Sequence, residues 1–155
     1  MRILFVCIGN SCRSPMAEAV MRDMVLRESL DWTVDSAALA DWNVGRQPEP
    51  RCLAVLHENG LHSEHVGRQI GESDFRQFDY IFGMDESNMR DLLALAAPVA
   101  DCTARIELLG NYRMKELDKI IFDPYFESGI HGFRRCYDQI VICCRNFIQQ
   151  KLQPQ

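Results

Sequence analysis

The sequence predicts an α/β fold in which strands alternate with helices around a parallel sheet, and three observations predict it. Short, continuous apolar runs such as ILFV at 3–6 and YIFG at 80–83 have the pattern of strands buried on both faces. Between them lie segments whose apolar residues recur at helical spacing. Proline and glycine sit at the ends of those segments, where a helix is expected to start or stop. Such an alternation implies right-handed crossovers and helices on both faces of the sheet. In open sheets of this kind ligands bind beyond the carboxyl ends of the strands.

The elements follow in order. Residues 3–6 form the first strand. Pro15 opens a helical pattern carried by Ala17, Val20, Met21, Met24 and Val25, with Ser14 as the expected N-cap. WTVDSAAL at 32–39 reads as a second strand, and DWNVGRQPEP at 41–50 as a loop. A helix over 50–59 is ended by Gly60. The third strand is 80–83, followed by a helix over 86–97 that stops before Pro98. ARIELL at 104–109 is the fourth strand, and 111–132 is mostly loop. The chain closes with a long helix over 133–152, whose apolar face is Phe133, Cys136, Ile140, Cys143 and Phe147. No internal repeat, linker or low-complexity tract interrupts it, so residues 1–155 are expected to form a single domain.

Composition narrows the function. With 47% hydrophobic and 25% charged residues the chain reads as globular rather than disordered. A formal net charge of −5 disfavours nucleic acid as a main partner, although one phosphate can still be held by a single arginine in a ring of backbone N–H groups. The apolar start is too short for a signal peptide and no stretch reaches the length of a membrane span. The seven cysteines are odd in number and irregularly spaced. They suit a reduced, cytoplasmic protein with core or reactive thiols.

The chemistry concentrates in CIGNSCR, residues 7–13, between the first strand and the first helix. A loop that runs into a helix N-terminus carries unpaired N–H groups and the positive end of the helix dipole. Cys7 at the end of the strand would point into that ring, which stabilises a thiolate. Arg13 closes the ring with a planar fork able to grip two phosphate oxygens. Gly9 permits close backbone approach and Asn10 tolerates a left-handed conformation. The expected guest is a tetrahedral dianion with Cys7 placed for in-line attack. Attack on a phosphate ester requires an acid for the leaving oxygen. Asp123, in FDPYFES, is the candidate: Pro124 stiffens its loop, and the neighbouring aromatics would shield the carboxyl from water and favour its protonated form.

Four stretches, VCIGNSCRSPMAEAV, DSAALADWNVGRQPEPR, FDYIFGMDESNMRDL and FDPYF, together resemble a low-molecular-weight protein tyrosine phosphatase of the eukaryotic type, over essentially the whole chain. The resemblance implies a flavodoxin- or Rossmann-like four-stranded parallel sheet of order 2-1-3-4. It implies a metal-free, cofactor-free reaction in which Cys7 forms a cysteinyl-phosphate, Arg13 holds the phosphate and Asp123 acts as acid and then base. It further implies that Ser14 steadies the thiolate, and that Asn10, Ser36 and His65, with Glu18 nearby, hold the loop's shape. Ile8, Gly9, Asn10, Ser11 and Cys12 complete the phosphate loop, and Trp42, Asn43 and Tyr125 flank the substrate ring. Cys12 would pair with Cys7 in a protective disulfide under peroxide. The implied partners are phosphotyrosine proteins and small aryl phosphates, the latter as an acid phosphatase activity, with inorganic phosphate as product. A monomer is expected, with weak self-association through the aromatic rim.

Departures from the family pattern are Phe126 where a second tyrosine is common, Phe122 where an acidic residue often precedes the aspartate, and Ser11 at a position that is frequently apolar. Two rivals are weighed. An arsenate reductase of the same architecture needs two further redox cysteines in mid-chain, and residues 82–89 hold none, while Cys136 and Cys143 fall in the last helix. A phosphotyrosine-binding module needs the cradle but not the acid, so Asp123–Pro124 counts against it. His57, His62 and His65 lack a cysteine at zinc-ligand spacing, and no glycine-rich nucleotide loop is present.

Overall fold

The computed structural model describes residues 1–154. Four strands, β1 (Arg2–Cys7), β2 (Thr33–Ala38), β3 (Tyr80–Gly83) and β4 (Arg105–Leu108), form one parallel sheet in the order β2-β1-β3-β4. Five helices connect or follow them: α1 (Arg13–Arg27), α2 (Pro50–Glu58), α3 (Asp74–Gln77), α4 (Glu86–Ala96) and α5 (His131–Leu152). The fold class is the one the alternation of elements predicts, and the strand order the one the family resemblance implies.

Period-two alternation along β1 decides what each face receives. Ile3, Phe5 and Cys7 belong to the core shared with α1, α2 and α5, whereas Leu4 and Val6 belong to the core under Phe75, Phe78 and Leu92. Cys7 therefore lies on the α1 side of the sheet. The register pairs Cys7 with Ala38 and Val6 with Gly83, which aligns the carboxyl ends of the three strands at one edge. On the α5 side an aromatic cluster locks the long helix to the sheet. Phe147 meets Tyr80, Phe82 and Tyr112 edge-on at 5.0–5.1 Å, and Phe5 stacks on Phe82 at 5.6 Å. The face expected from the sequence, Phe133, Cys136, Ile140, Cys143 and Phe147, is buried throughout.

Local chemistry explains most ends. Glu49 caps α2 by accepting from the Arg51 N–H, with Pro50 at the first helical position. Gly60, at φ +73°, lets the chain leave α2 in a left-handed turn. Asp85 caps α4 by accepting from the Asn88 N–H at 2.7 Å.

Two expectations are corrected. Ser14 is not an N-cap: α1 begins at Arg13, Cys12 holds the cap position without a side-chain cap bond, and the Ser14 hydroxyl is committed to Asn10 and Cys7 instead. The helix still tolerates Pro15, because N–H groups of the first turn have no partner inside the helix. The sequence reading also has no element at α3, a single turn too short to show periodicity. No helix of the described residues is long and apolar enough to cross a membrane.

Candidate active site

β1 delivers Cys7 to the sheet edge, and the chain then circles through residues 8–12 before α1 takes over at Arg13. Asn10 makes the circle close. Its φ is +51°, a left-handed conformation that asparagine tolerates better than most residues, and it is 2% exposed. Its amide Nδ2 donates to Ser14 Oγ at 2.7 Å and to Ser36 Oγ at 3.1 Å. Its Oδ1 accepts from His65 Nε2 at 2.6 Å and from the Arg68 N–H at 3.3 Å.

Because Ser14 Oγ already accepts from Asn10, its own proton is free to point at Cys7 Sγ, 3.0 Å away. Cys7 thus sits at a helix N-terminus, faced by a hydroxyl donor. Behind Asn10, His65 Nδ1 meets Glu18 Oε1 at 3.0 Å, and Ser36 Oγ donates to the same oxygen at 2.8 Å. Burial works to raise the Glu18 pKa, but the hydrogen bond and charge of His65, with Ser36 and Arg22, outweigh it and hold the carboxyl below its ordinary value. Glu18, Asp35 and His65 are the one group of three potential metal ligands that comes together among the described residues. All three are engaged in hydrogen bonds, Asp35 with Arg68. His57 and His62 are exposed and stand apart from this group.

Arg13 is 3% exposed. Its Nη1 donates to Asp85 at 3.0 Å and to the Ile121 carbonyl at 3.2 Å, while Nη2 faces Asp123 Oδ2 at 3.5 Å. Burial alone would lower its pKa; the charges of Cys7, Asp123 and Asp85 raise it, so the guanidinium stays charged. Asp85 has no counterpart in the sequence reading. The legible signal was only that of a helix cap, yet the same carboxylate uses its second oxygen to aim the arginine.

Asp123 follows Ile121, which is fully buried and donates its N–H to the Met84 carbonyl at 3.0 Å. The Phe122 N–H donates to Gln139 at 2.8 Å, so α5 fixes the chain just before the aspartate. The expected aromatic shield is not formed. Phe122 lies under Arg135 at 4.4 Å, Tyr125 and Phe126 are 51% and 88% exposed, and the Asp123 side chain is 37% exposed. The turn after Pro124 points those two rings outward as a rim, with Glu127 N–H donating to the Pro124 carbonyl.

A pocket of about 190 Å³ opens above the loop. It is lined by Cys7, Ile8, Gly9, Ser11, Cys12 and Arg13, by Trp42 and Asn43, and by Asp123, Tyr125 and Phe126. Asn43 is held by a bond from Nδ2 to the Gly9 carbonyl at 2.9 Å, whereas Trp42 is 66% exposed. A larger cavity of about 470 Å³, between α1 and α5, includes no residue of the loop. Cys12 is 5% exposed, and its thiol is pushed up to about 12 by burial first and then by the neighbouring Cys7 and Glu49. All seven cysteines are unpaired.

Comparison with known proteins agrees with the geometry. The family model described as low molecular weight phosphotyrosine protein phosphatase matches residues 2–155. A low molecular weight phosphotyrosine protein phosphatase of Sus scrofa is 48% identical, covering 96% of this chain and 94% of that protein. The Homo sapiens protein of the same description is 46% identical, over 96% and 94%. Among solved structures, a drosophila arginine phosphatase superposes with a TM-score of 0.94 at 46% identity, covering 100% of both chains. A protein tyrosine phosphatase of Entamoeba histolytica superposes at 0.90 with 33% identity, over 97% and 96%. The chain belongs to the low molecular weight phosphotyrosine protein phosphatase family.

Proposed function

From this membership we propose that the protein hydrolyses phosphotyrosine in proteins, and small aryl phosphates, through a cysteinyl-phosphate. The reading is carried by the convergence on one pocket of Cys7 and Arg13, from one loop, and Asp123, 110 positions further along the chain. The phosphate enters the ring of N–H groups with Arg13 gripping its oxygens, while Asp85 keeps the guanidinium aimed. The Cys7 thiolate attacks phosphorus, the bond from phosphorus to the phenolic oxygen breaks, and Asp123 gives its proton to the departing oxygen. Water then attacks the cysteinyl-phosphate as Asp123, now a carboxylate, takes its proton. The sulfur–phosphorus bond breaks, returning the thiolate and inorganic phosphate. Ser14, 3.0 Å from the sulfur, stabilises the thiolate both as nucleophile and as leaving group. Trp42, Asn43 and Tyr125 form the slot for the ring, and the aromatic faces of Trp42 and Tyr125 suit an aryl ester over a short alkyl one. Seven unpaired cysteines support a reducing, cytoplasmic setting.

Hydrolysis of a chromogenic aryl phosphate tests the reading. Cys7→Ser should abolish turnover, and Asp123→Ala should cost roughly 10²–10⁴-fold with poor leaving groups. Wild-type activity in Cys7→Ser, or its loss from the wild type on adding a chelator, would sink the mechanism.

A second substrate class is favoured by one observation: the likeness to the drosophila arginine phosphatase. Ser11 gives the pocket that also holds Asp123 a hydroxyl rather than an apolar group, and a hydroxyl oxygen can accept from a guanidinium N–H. Peptides carrying phosphotyrosine or N-phosphoarginine, compared by kcat/KM, decide between the two.

A further inference from the structure

The segment that carries Asp123 is anchored on one side only by the sheet and α5. Ile121 and Phe122 are tied down and Pro124 is buried, but from Tyr125 to Gly129 the chain runs over the surface. Asp123 itself faces Arg13 Nη2 at 3.5 Å; beyond it, among the described residues, one side chain from outside residues 124–129 hydrogen-bonds to them. Arg51, in the first turn of α2, donates from Nη1 to the carbonyls of Glu127 and Gly129, the latter at 3.0 Å, and from Nη2 to that of Tyr125 at 3.1 Å. The guanidinium is itself held in place. Its Nε donates to both Glu49 oxygens at 3.1 Å, and its Cζ lies 4.5 Å above the ring of the buried Phe133.

The other contacts of the same helix start reach the phosphate loop. The Glu49 N–H donates to the Ser11 carbonyl at 2.9 Å, and Cys52 Sγ lies 3.5 Å from the Cys12 carbonyl. The beginning of α2 thus touches the nucleophile's loop with its backbone and the acid's loop with one arginine.

We infer that Arg51 is a positioning residue for the general acid, a strut that sets the distance from the Asp123 carboxyl to the oxygen leaving Cys7-bound phosphorus. The inference rests on the reading of Asp123 as the acid. Three carbonyls, converging on one planar fork, explain why an arginine is required: a lysine ammonium is a single point charge and cannot span them. Without the strut, Asp123 keeps its contact with Arg13 and Pro124 its burial, but residues 125–129 keep as hydrogen bonds only the Tyr125 N–H to Asp123 Oδ1 and the Glu127 N–H to the Pro124 carbonyl. The carboxyl would then sample positions too far from the leaving oxygen, and a misplacement of about 1 Å costs up to roughly 100-fold.

The test is a series of aryl phosphates whose phenols range from strongly to weakly acidic, read as kcat/KM. A good leaving group needs no proton, so Arg51→Met should retain near wild-type kcat/KM with a dinitrophenyl ester and lose roughly 10- to 100-fold with phenyl phosphate. Arg51→Lys should follow Arg51→Met, and it carries the test if the methionine variant melts below the assay temperature. In an Asp123→Ala background, adding Arg51→Met should cost nothing further, since a strut without an acid has nothing to position. A loss equal across all leaving groups, or an undiminished loss in the Asp123→Ala background, would overturn the role. A flat profile for Asp123→Ala itself would overturn the acid assignment, and this inference with it. A steep profile for Asp123→Ala beside a wild-type profile for Arg51→Met would overturn the strut alone.

Discussion

Replacing Asn10 by alanine probes whether the loop of residues 7–13 is held by one buried side chain. Two costs can be worked from the structure. Alanine at φ +51° carries a left-handed penalty of about 1–2 kcal/mol. Removing Oδ1 strips the acceptor, 2.6 and 3.3 Å away, from the buried His65 ring N–H and the Arg68 N–H, which costs about 1–3 kcal/mol. The sum is about 2–5 kcal/mol, and at about 2–4 °C per kcal/mol for a chain of this size the midpoint should fall by roughly 4–20 °C. Asn10→Gly loses the same bonds without the backbone penalty, so it should melt roughly 2–8 °C above the alanine variant. Thermal unfolding followed by circular dichroism at pH 7 measures both. The kcat/KM for an aryl phosphate should fall in both variants, because the Ser14 hydroxyl loses the donor that orients its proton toward Cys7. Equal midpoints for the two variants would refute the left-handed requirement, and midpoints within about 1 °C of wild type would refute the hub as a source of stability.

Two further outcomes follow from the same network. The Glu18 carboxyl is held below its ordinary value in the folded state, so the stability it contributes is present above the unfolded carboxyl's value and is lost as pH falls through the lower folded one. The stability gap between wild type and Glu18→Gln should therefore be widest near neutrality and narrow below about pH 4.5; urea unfolding that shows a constant gap down to about pH 3 would contradict this. Peroxide should convert Cys7 to a sulfenic acid, which the Cys12 thiol then condenses with, releasing water and leaving a disulfide that thiol reverses. Wild type should recover activity with dithiothreitol after peroxide, and Cys12→Ser should not; equal recovery would remove Cys12 from that role.

Legibility tracked distance along the chain. CIGNSCR could be read because a buried strand precedes it and a helix follows it directly, so its ends and the dipole of the helix it enters are local properties. The boundaries of β3 and the apolar face of α5 were legible for the same reason, since each is a pattern within one element. Ser14 misled as a cap, because a serine before a helix looks the same whether its hydroxyl turns to the helix or to a thiol. The aromatics around Asp123 misled in the same way. Neighbours in sequence suggested a shield, and the turn after Pro124 pointed Tyr125 and Phe126 out as a rim.

What the sequence determined by itself was the alternation of elements, the loop of residues 7–13 at a strand's carboxyl end, and the thiol and guanidinium that bound it. Tertiary structure alone decided who aims them. Asp85 lies 72 positions from Arg13, and Arg51 lies 76 from the Glu127 carbonyl it holds; neither spacing carries a local signal. Such requirements arise from segments brought together by the parallel crossovers, where a donor finds its acceptor only after the sheet has set the distance between them.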